Sequence, residues 1–162
     1  MNGMLLLHYL EKDARRSVTD LADILGESEK DIQSQIRYLE DNKIIVGYHT
    51  VINWDRANND HVDAIIEVSA KPERDSGYDK IAERIAKFPE VTDMYLMSGK
   101  SEFFVSVSGR TMREVSDFVG QKLAPIDGVQ ATVTCFVLKT YKRDGVLMEF
   151  EQEEDDRQLV TP

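Results

Sequence analysis

Between Ser28 and Asn42 the chain reads SEKDIQSQIRYLEDN. Lys30, Gln33, Ser34, Arg37 and Tyr38 in this stretch are side-chain types that read base edges or hold phosphates. Glutamine pairs two ways with adenine, arginine binds guanine or a phosphate, and serine serves as donor or acceptor. Against them stand Glu29, Asp31, Glu40 and Asp41, a net charge of −2 facing a polyanion. Position decides how much that matters. Ser28 and Asp31 have capping-box spacing, which assigns Asp31 to the helix start. Glu40 and Asp41 fall at the far end, away from a groove read by the N-terminal part of a helix. The candidate DNA-reading residues are therefore Lys30, Gln33, Ser34, Arg37 and Tyr38. Phosphate contacts must come from Lys12, Arg15 and Arg16 ahead of that helix, and from Lys43 or His49 after it.

Other chemistry is thinly represented. His8, His49 and His61 are the only histidines, and none belongs to a recognisable catalytic constellation. No phosphate-binding glycine loop, nucleophile elbow or metal-ligand pair occurs. Cys135 is the only cysteine, which excludes an intrachain disulfide and a zinc ribbon. It falls on a predicted strand and is expected to be buried and inert. Met94, Met97 and Met112 read as core or interface filler, and Trp54 and Tyr48 as packing around a linker. No enzyme, cofactor or metal is expected.

The elements that position these residues follow from periodicity. Leu6, Leu7 and Leu10 mark a short first helix. A capping box at Ser17 opens a second, with Leu21, Ala22, Ile24 and Leu25 as its apolar side. Gly26 ends it, and Ser28 opens a third with Ile32, Ile36 and Leu39 as its stripe. Ala22, Gly26 and Ile32 have helix-turn-helix spacing: a small residue for close approach, a glycine for the turn, an aliphatic anchor. The β-rich KIIVGYHTV that follows reads as a wing, and NWDRANNDH as a linker.

Beyond the linker the period changes to two. Strand, helix, two strands, helix and strand follow, the last helix opened by Thr111 and broken at Pro125 to Gly128. The expected fold is α+β: a winged helix-turn-helix over residues 1–52, a linker over 53–61, a ferredoxin-like βαββαβ domain over 62–142 and an acidic tail over 143–162. Two helices cover only one face of a four-stranded sheet. By alternation the other face offers Ile65, Met94, Leu96, Phe104, Phe136 and Leu138 or their neighbours, which implies a second copy of the chain packed there.

At 162 residues and 41% apolar content the chain makes one domain or two small ones, with no leader or membrane span, and is expected to be soluble and cytoplasmic. Half of the net charge of −10 sits in residues 149–162, which hold 6 acidic residues and 1 basic. Such a block stays solvated and says little about what the folded part binds.

In order and spacing, several groups of residues resemble the Lrp/AsnC (feast/famine) family of transcription regulators. They are Asp13-Ala14-Arg15, Leu21-Ala22 with Gly26 and Ser28, Ile36 with Leu39-Glu40, Ile44-Ile45 with Gly47-Tyr48, Ser98-Gly99, Asp127-Gly128-Val129, Thr132 with Thr134, and Val137-Leu138-Lys139. The resemblance covers nearly the whole chain except the acidic tail. It implies binding to double-stranded DNA, assembly as a homodimer with octamers or other closed rings beyond it, and response to a small-molecule effector such as an amino acid. It places that effector at the loop Ser98, Gly99, Lys100, Ser101 and Glu102, with Thr132 and Thr134 near the same cavity. The family pattern has aspartate where Glu102 stands, and it is often basic at Ser34, Gln35, Arg37 and Tyr38, where only Arg37 keeps that character. Two rivals remain: a metabolite-sensing or assembly protein with a degenerate DNA-binding head, and an enzyme, since siroheme decarboxylases resemble this architecture.

Overall fold

The computed structural model describes residues 3–57, 60–74 and 77–148, which divide into two compact units, Met1–Thr50 and Val51–Pro162. The first holds α1 (Gly3–Lys12), α2 (Val18–Leu25) and α3 (Glu29–Asp41). Its core is Leu6, Leu10, Leu21, Ala22, Ile32 and Leu39 from the set the periodicity selected, with Leu7, Leu25, Ile36 and Ile45 packed against it, whereas Ile24 is exposed. Ser17 and Ser28 cap α2 and α3, each accepting a hydrogen bond from the backbone N–H three residues on, and Gly26 closes α2 in the left-handed region at φ +67°. Each such cap contributes about 1 kcal/mol.

The wing strands do not form. After turns at residues 42–45 the chain has no regular structure through residue 53, and Val46 is 85% exposed. β-branched residues favour a strand only where a neighbouring edge offers hydrogen bonds and a surface to pack on. Within this unit every described element is helical, so no edge is present.

The second unit has the expected βαββαβ order: β1 (Val62–Ala70), α4 (Asp79–Ala86), β2 (Val91–Leu96), β3 (Phe103–Gly109), α5 (Met112–Phe118) and β4 (Val129–Phe136). Its sheet runs β2-β3-β1-β4, antiparallel throughout. Ala64, Ile66, Val68 and Ala70 of β1 point toward the helices and pack with Ile81 and Ile85 of α4, Val115 and Phe118 of α5, and Phe103, Val105 and Val107 of β3. After α5 the helix widens into a π-turn, Val119–Leu123, which still buries Leu123.

Three expectations are corrected here. Met94 and Phe136 lie on the helix side, packed against the core, so the open face carries instead Ile65, Phe104, Tyr95, Val133 and Cys135 around Glu67. Leu96 pairs with Phe103 on the helix side, and Leu138 follows β4 at 90% exposure. Cys135 is exposed, not buried, because β4 is an edge strand and Cys135 is on its uncovered face. Met97 and Met112 are likewise exposed and fill no core. Finally, residues 142–147, assigned in part to the tail, form a hairpin of β5 (Lys142–Arg143) and β6 (Val146–Leu147), with Asp144 and Gly145 at φ +47° and +81° in its turn. The acidic residues from 149 onward lie outside the described residues.

Gly128 closes the approach to β4 at φ +93°, and a Cβ there would stand 2.6 Å from Cδ1 of the fully buried Ile81. Gly128→Ala should therefore destabilise the second unit by about 3 kcal/mol, from left-handed strain plus overpacking. Gly120→Ala, with nothing within 4 Å of the added methyl, should leave stability unchanged or improved. Thermal unfolding of both variants checks this, and equal losses would refute it.

Candidate nucleic-acid interface and effector loop

The burial of Ile32 and Leu39 turns one side of α3 inward and leaves Lys30, Gln33, Ser34, Arg37 and Tyr38 exposed together on the other. All five predicted side chains thus share one face. Gln35 does not: it is partly buried, and a Cβ on Gly3 of α1 would lie 3.1 Å from its Nε2. The Ser34 hydroxyl donates to the Lys30 carbonyl at 2.8 Å, so its proton is spent within the helix and the oxygen remains as an acceptor.

The carboxylates of the same stretch are held in place by hydroxyls. Thr19 of α2 donates to Glu29 at 2.8 Å, Ser28 donates to Asp31 at 2.6 Å, and Tyr48 donates to Glu40 at 3.0 Å. Burial, together with the hydrogen bond and charge of Glu40, raises the Tyr48 phenol above its ordinary pKa, so it stays a donor at neutral pH. These contacts orient the carboxylates without cancelling their charge. Glu29 and Asp31 also lie in the first turn, where the half-positive helix terminus offsets them.

The outlying cations divide. Arg15 and Lys43 are exposed, whereas Arg16 lies over the Tyr9 ring at 5.3 Å and within 3.9 Å of Asp13, which commits it to packing. Lys43 follows the C-cap of α3 at φ +58°. Its N–H bonds to the Glu40 carbonyl and that of Ile44 to the Leu39 carbonyl, the pair of bonds that closes a Schellman motif. A lysine there gives up about 1–2 kcal/mol relative to glycine. It sets a cation just beyond the reading helix.

At the other unit, the loop between β2 and β3 is closed at its base by the Met97 N–H donating to the Glu102 carbonyl at 2.8 Å, and its side-chain anchors lie at the second end. Ser101 is 8% exposed and donates to Glu67 of β1 at 3.0 Å. Glu102 accepts from the Ala70 N–H at 2.8 Å, beside the register shift at Ser69 and Ala70. Ser98, Gly99 and Lys100 are exposed, and a Cβ on Gly99 would meet nothing within 4 Å. Thr132 and Thr134 pair with Val68 and Ile66, so they face the helix side, whereas Glu67 and its partner Ser101 belong to the open side. The sheet separates these two parts of the expected cavity within one chain.

The extra methylene of Glu102, compared with aspartate, is what spans to the Ala70 amide. Glu102→Asp should lose that hydrogen bond, at about 1 kcal/mol, and speed amide exchange at Ala70. Glu102→Gln, which keeps length and an acceptor oxygen, should preserve protection. Equal exchange in wild type and Glu102→Asp would contradict the assignment.

Among the described residues no helix is long and apolar enough to cross a membrane, and no group of His, Cys, Asp and Glu could hold a metal ion. The Lrp/AsnC ligand binding domain model matches residues 63–147. The HTH-type transcriptional regulator YugG of Bacillus subtilis is 36% identical over 96% of this chain and 93% of its own length. LrpA of Pyrococcus abyssi is 30% identical over 85% and 95%. A transcriptional regulator of Neisseria meningitidis, solved as its L-Met complex, superposes with TM-score 0.69 at 25% identity over 87% of this chain and 90% of that one. E. coli AsnC superposes at 0.65 and 25% identity over 85% and 91%. The chain belongs to the Lrp/AsnC family, and the relatives it matches are named as transcriptional regulators.

Proposed function

We propose that the chain is a sequence-specific DNA-binding transcription regulator whose affinity or assembly responds to a small metabolite, an amino acid by chemical class. The carrying observation is the single exposed row Lys30, Gln33, Ser34, Arg37 and Tyr38 on a helix whose carboxylates are drawn aside by hydroxyl donors. Gln33 and Arg37 supply base readout, Ser34 accepts, and Tyr38 packs against sugar or a thymine methyl. Lys30, Arg15 and Lys43 meet phosphates. Arg16, stacked on Tyr9, shapes the surface beside them.

So few cations make each head a weak phosphate binder, because every phosphate contact adds about 0.9 to the salt slope of binding. Affinity then comes from several heads on one assembly, with the open sheet face around Ile65 and Phe104 joining two copies and further association leading toward octamers. The effector belongs at the exposed residues Ser98, Gly99 and Lys100, with the pinned Ser101 and Glu102 as its base. Thr132 and Thr134 join that site only from another chain. This is consistent with the L-Met bound by the Neisseria relative. A second reading, a metabolite sensor with a degenerate head, is favoured by the missing wing strands at residues 46–53.

Genome-wide capture of bound DNA separates the two. Wild type should enrich discrete sites, and Arg37→Ala should lose preference at one base position, worth about 1–3 kcal/mol. Matching, unenriched profiles would support the degenerate head. For the effector, a thermal-shift screen of amino acids should show a stabilising ligand whose shift disappears in Gly99→Asp, a substitution the backbone accommodates. Identical shifts in both proteins would remove the loop from the site.

A further inference from the structure

Asp63, at the start of β1, gathers side chains from four parts of the second unit. Ser108 of β3 donates to its Oδ1 at 2.7 Å, and the Arg143 guanidinium of β5 donates to its Oδ2. His61 Nε2 stands 2.8 Å from Oδ1 but off the line of a hydrogen bond, so that contact is one of charge and packing. Trp54 stacks on the His61 ring, centroids 4.6 Å apart and planes within 17°. The carboxylate is 18% exposed. Burial alone would push its pKa up, but the hydrogen bonds from Ser108 and Arg143 and the charges of His61 and Arg143 outweigh it and hold the group below its ordinary value.

The geometry points to a latch: Asp63 and Arg143 are positioning residues that bind the C-terminal hairpin across the segment leading into β1 and fix that segment through His61 and Trp54. The hairpin suits the task. Its Asp144-Gly145 turn, with both residues at positive φ, is a self-sufficient two-residue connection that presents Arg143 on a rigid arm. Met148, 9% exposed, anchors the end of the arm, and its N–H bonds to the Tyr141 carbonyl. Trp54 and Asn53 line one side of a cleft whose other side is Lys139, Arg143 and Met148, so the latch spans the two segments it joins. Among the described residues neither segment pairs with the four-stranded sheet, and the shared carboxylate is where both meet β1, Arg143 through its guanidinium and His61 by packing. Residues 52–57 are also the path to the first unit.

Trp54 is the only tryptophan in the chain, which makes the latch observable directly. In the full-length protein, Arg143→Ala should roughly double acrylamide quenching of Trp54 and speed amide exchange at Arg56, Ala57 and Met148 about tenfold. Exchange within β1 and β3 should stay unchanged. Arg143→Lys should restore part of both, and Arg143→Ala should add nothing in an Asp63→Asn background. Unaltered quenching and exchange in Arg143→Ala would overturn the latch, as would equal acceleration throughout the sheet or full additivity with Asp63→Asn. These readouts need no DNA, so they decide the latch even if the DNA-binding reading fails.

Discussion

The register of β1 is the constraint on which the second unit depends. One of the two central strands, it has its alternation fixed twice, by β3 and by β4. Ala64, Ile66, Val68 and Ala70 fill the core, and the residues between them do the outward work. Asp63 holds the hairpin, Ile65 contributes to the open face, and Glu67 receives Ser101 from the β2–β3 loop. A slip of one residue would drive two carboxylates into a helix-covered core and expose the aliphatic set, a cost no local adjustment offsets. One strand thereby sets the hairpin, the uncovered face and the loop in fixed relation.

The first unit solves a different problem. Its third helix carries more acid than base, and its apolar stripe leaves no freedom to turn those acids inward. Hydroxyls of Thr19, Ser28 and Tyr48 each take one carboxylate and leave the row from Lys30 to Tyr38 as the feature a groove would meet. Lys43 retains its charge in a backbone conformation that glycine fills more comfortably. The hydroxyl contacts flank both ends of α3, and Lys43, just beyond its C-cap, keeps a cation at the surface at the expense of local stability.

What could be read from the sequence was whatever local spacing determines. Ser17, Ser28 and Thr111 announced helix starts that the structure contains, and the change of period after residue 61 gave the βαββαβ order. The five reading residues of α3 emerged on one face because Ile32, Ile36 and Leu39 set its rotation. Alternation alone gives two sets of residues per strand, and choosing the covered set requires knowing the register. Met94 and Phe136 were misplaced for that reason. The wing failed because strand propensity needs an edge to pair with. The hairpin was legible in Asp144-Gly145 between apolar and basic residues, but its closeness to the acidic run masked the signal. No spacing rule would have joined Asp63 to Arg143, 80 residues apart.

The π-turn at Val119–Leu123 carries one more consequence. A wide turn accommodates one residue beyond what a regular helix would hold between the same two anchors, here Phe118 and Leu123, both in the core. Its width also brings Lys122 over the Phe88 ring and onto Glu90, at the foot of β2. The segment is therefore quantised in length. Removing a single residue between them would place Leu123 four positions after Phe118, on the same face of a regular helix and still in the core. A relative with one residue fewer here would keep both anchors on a regular helix, so an alignment gap at this point would signal a closed bulge and not a rebuilt core.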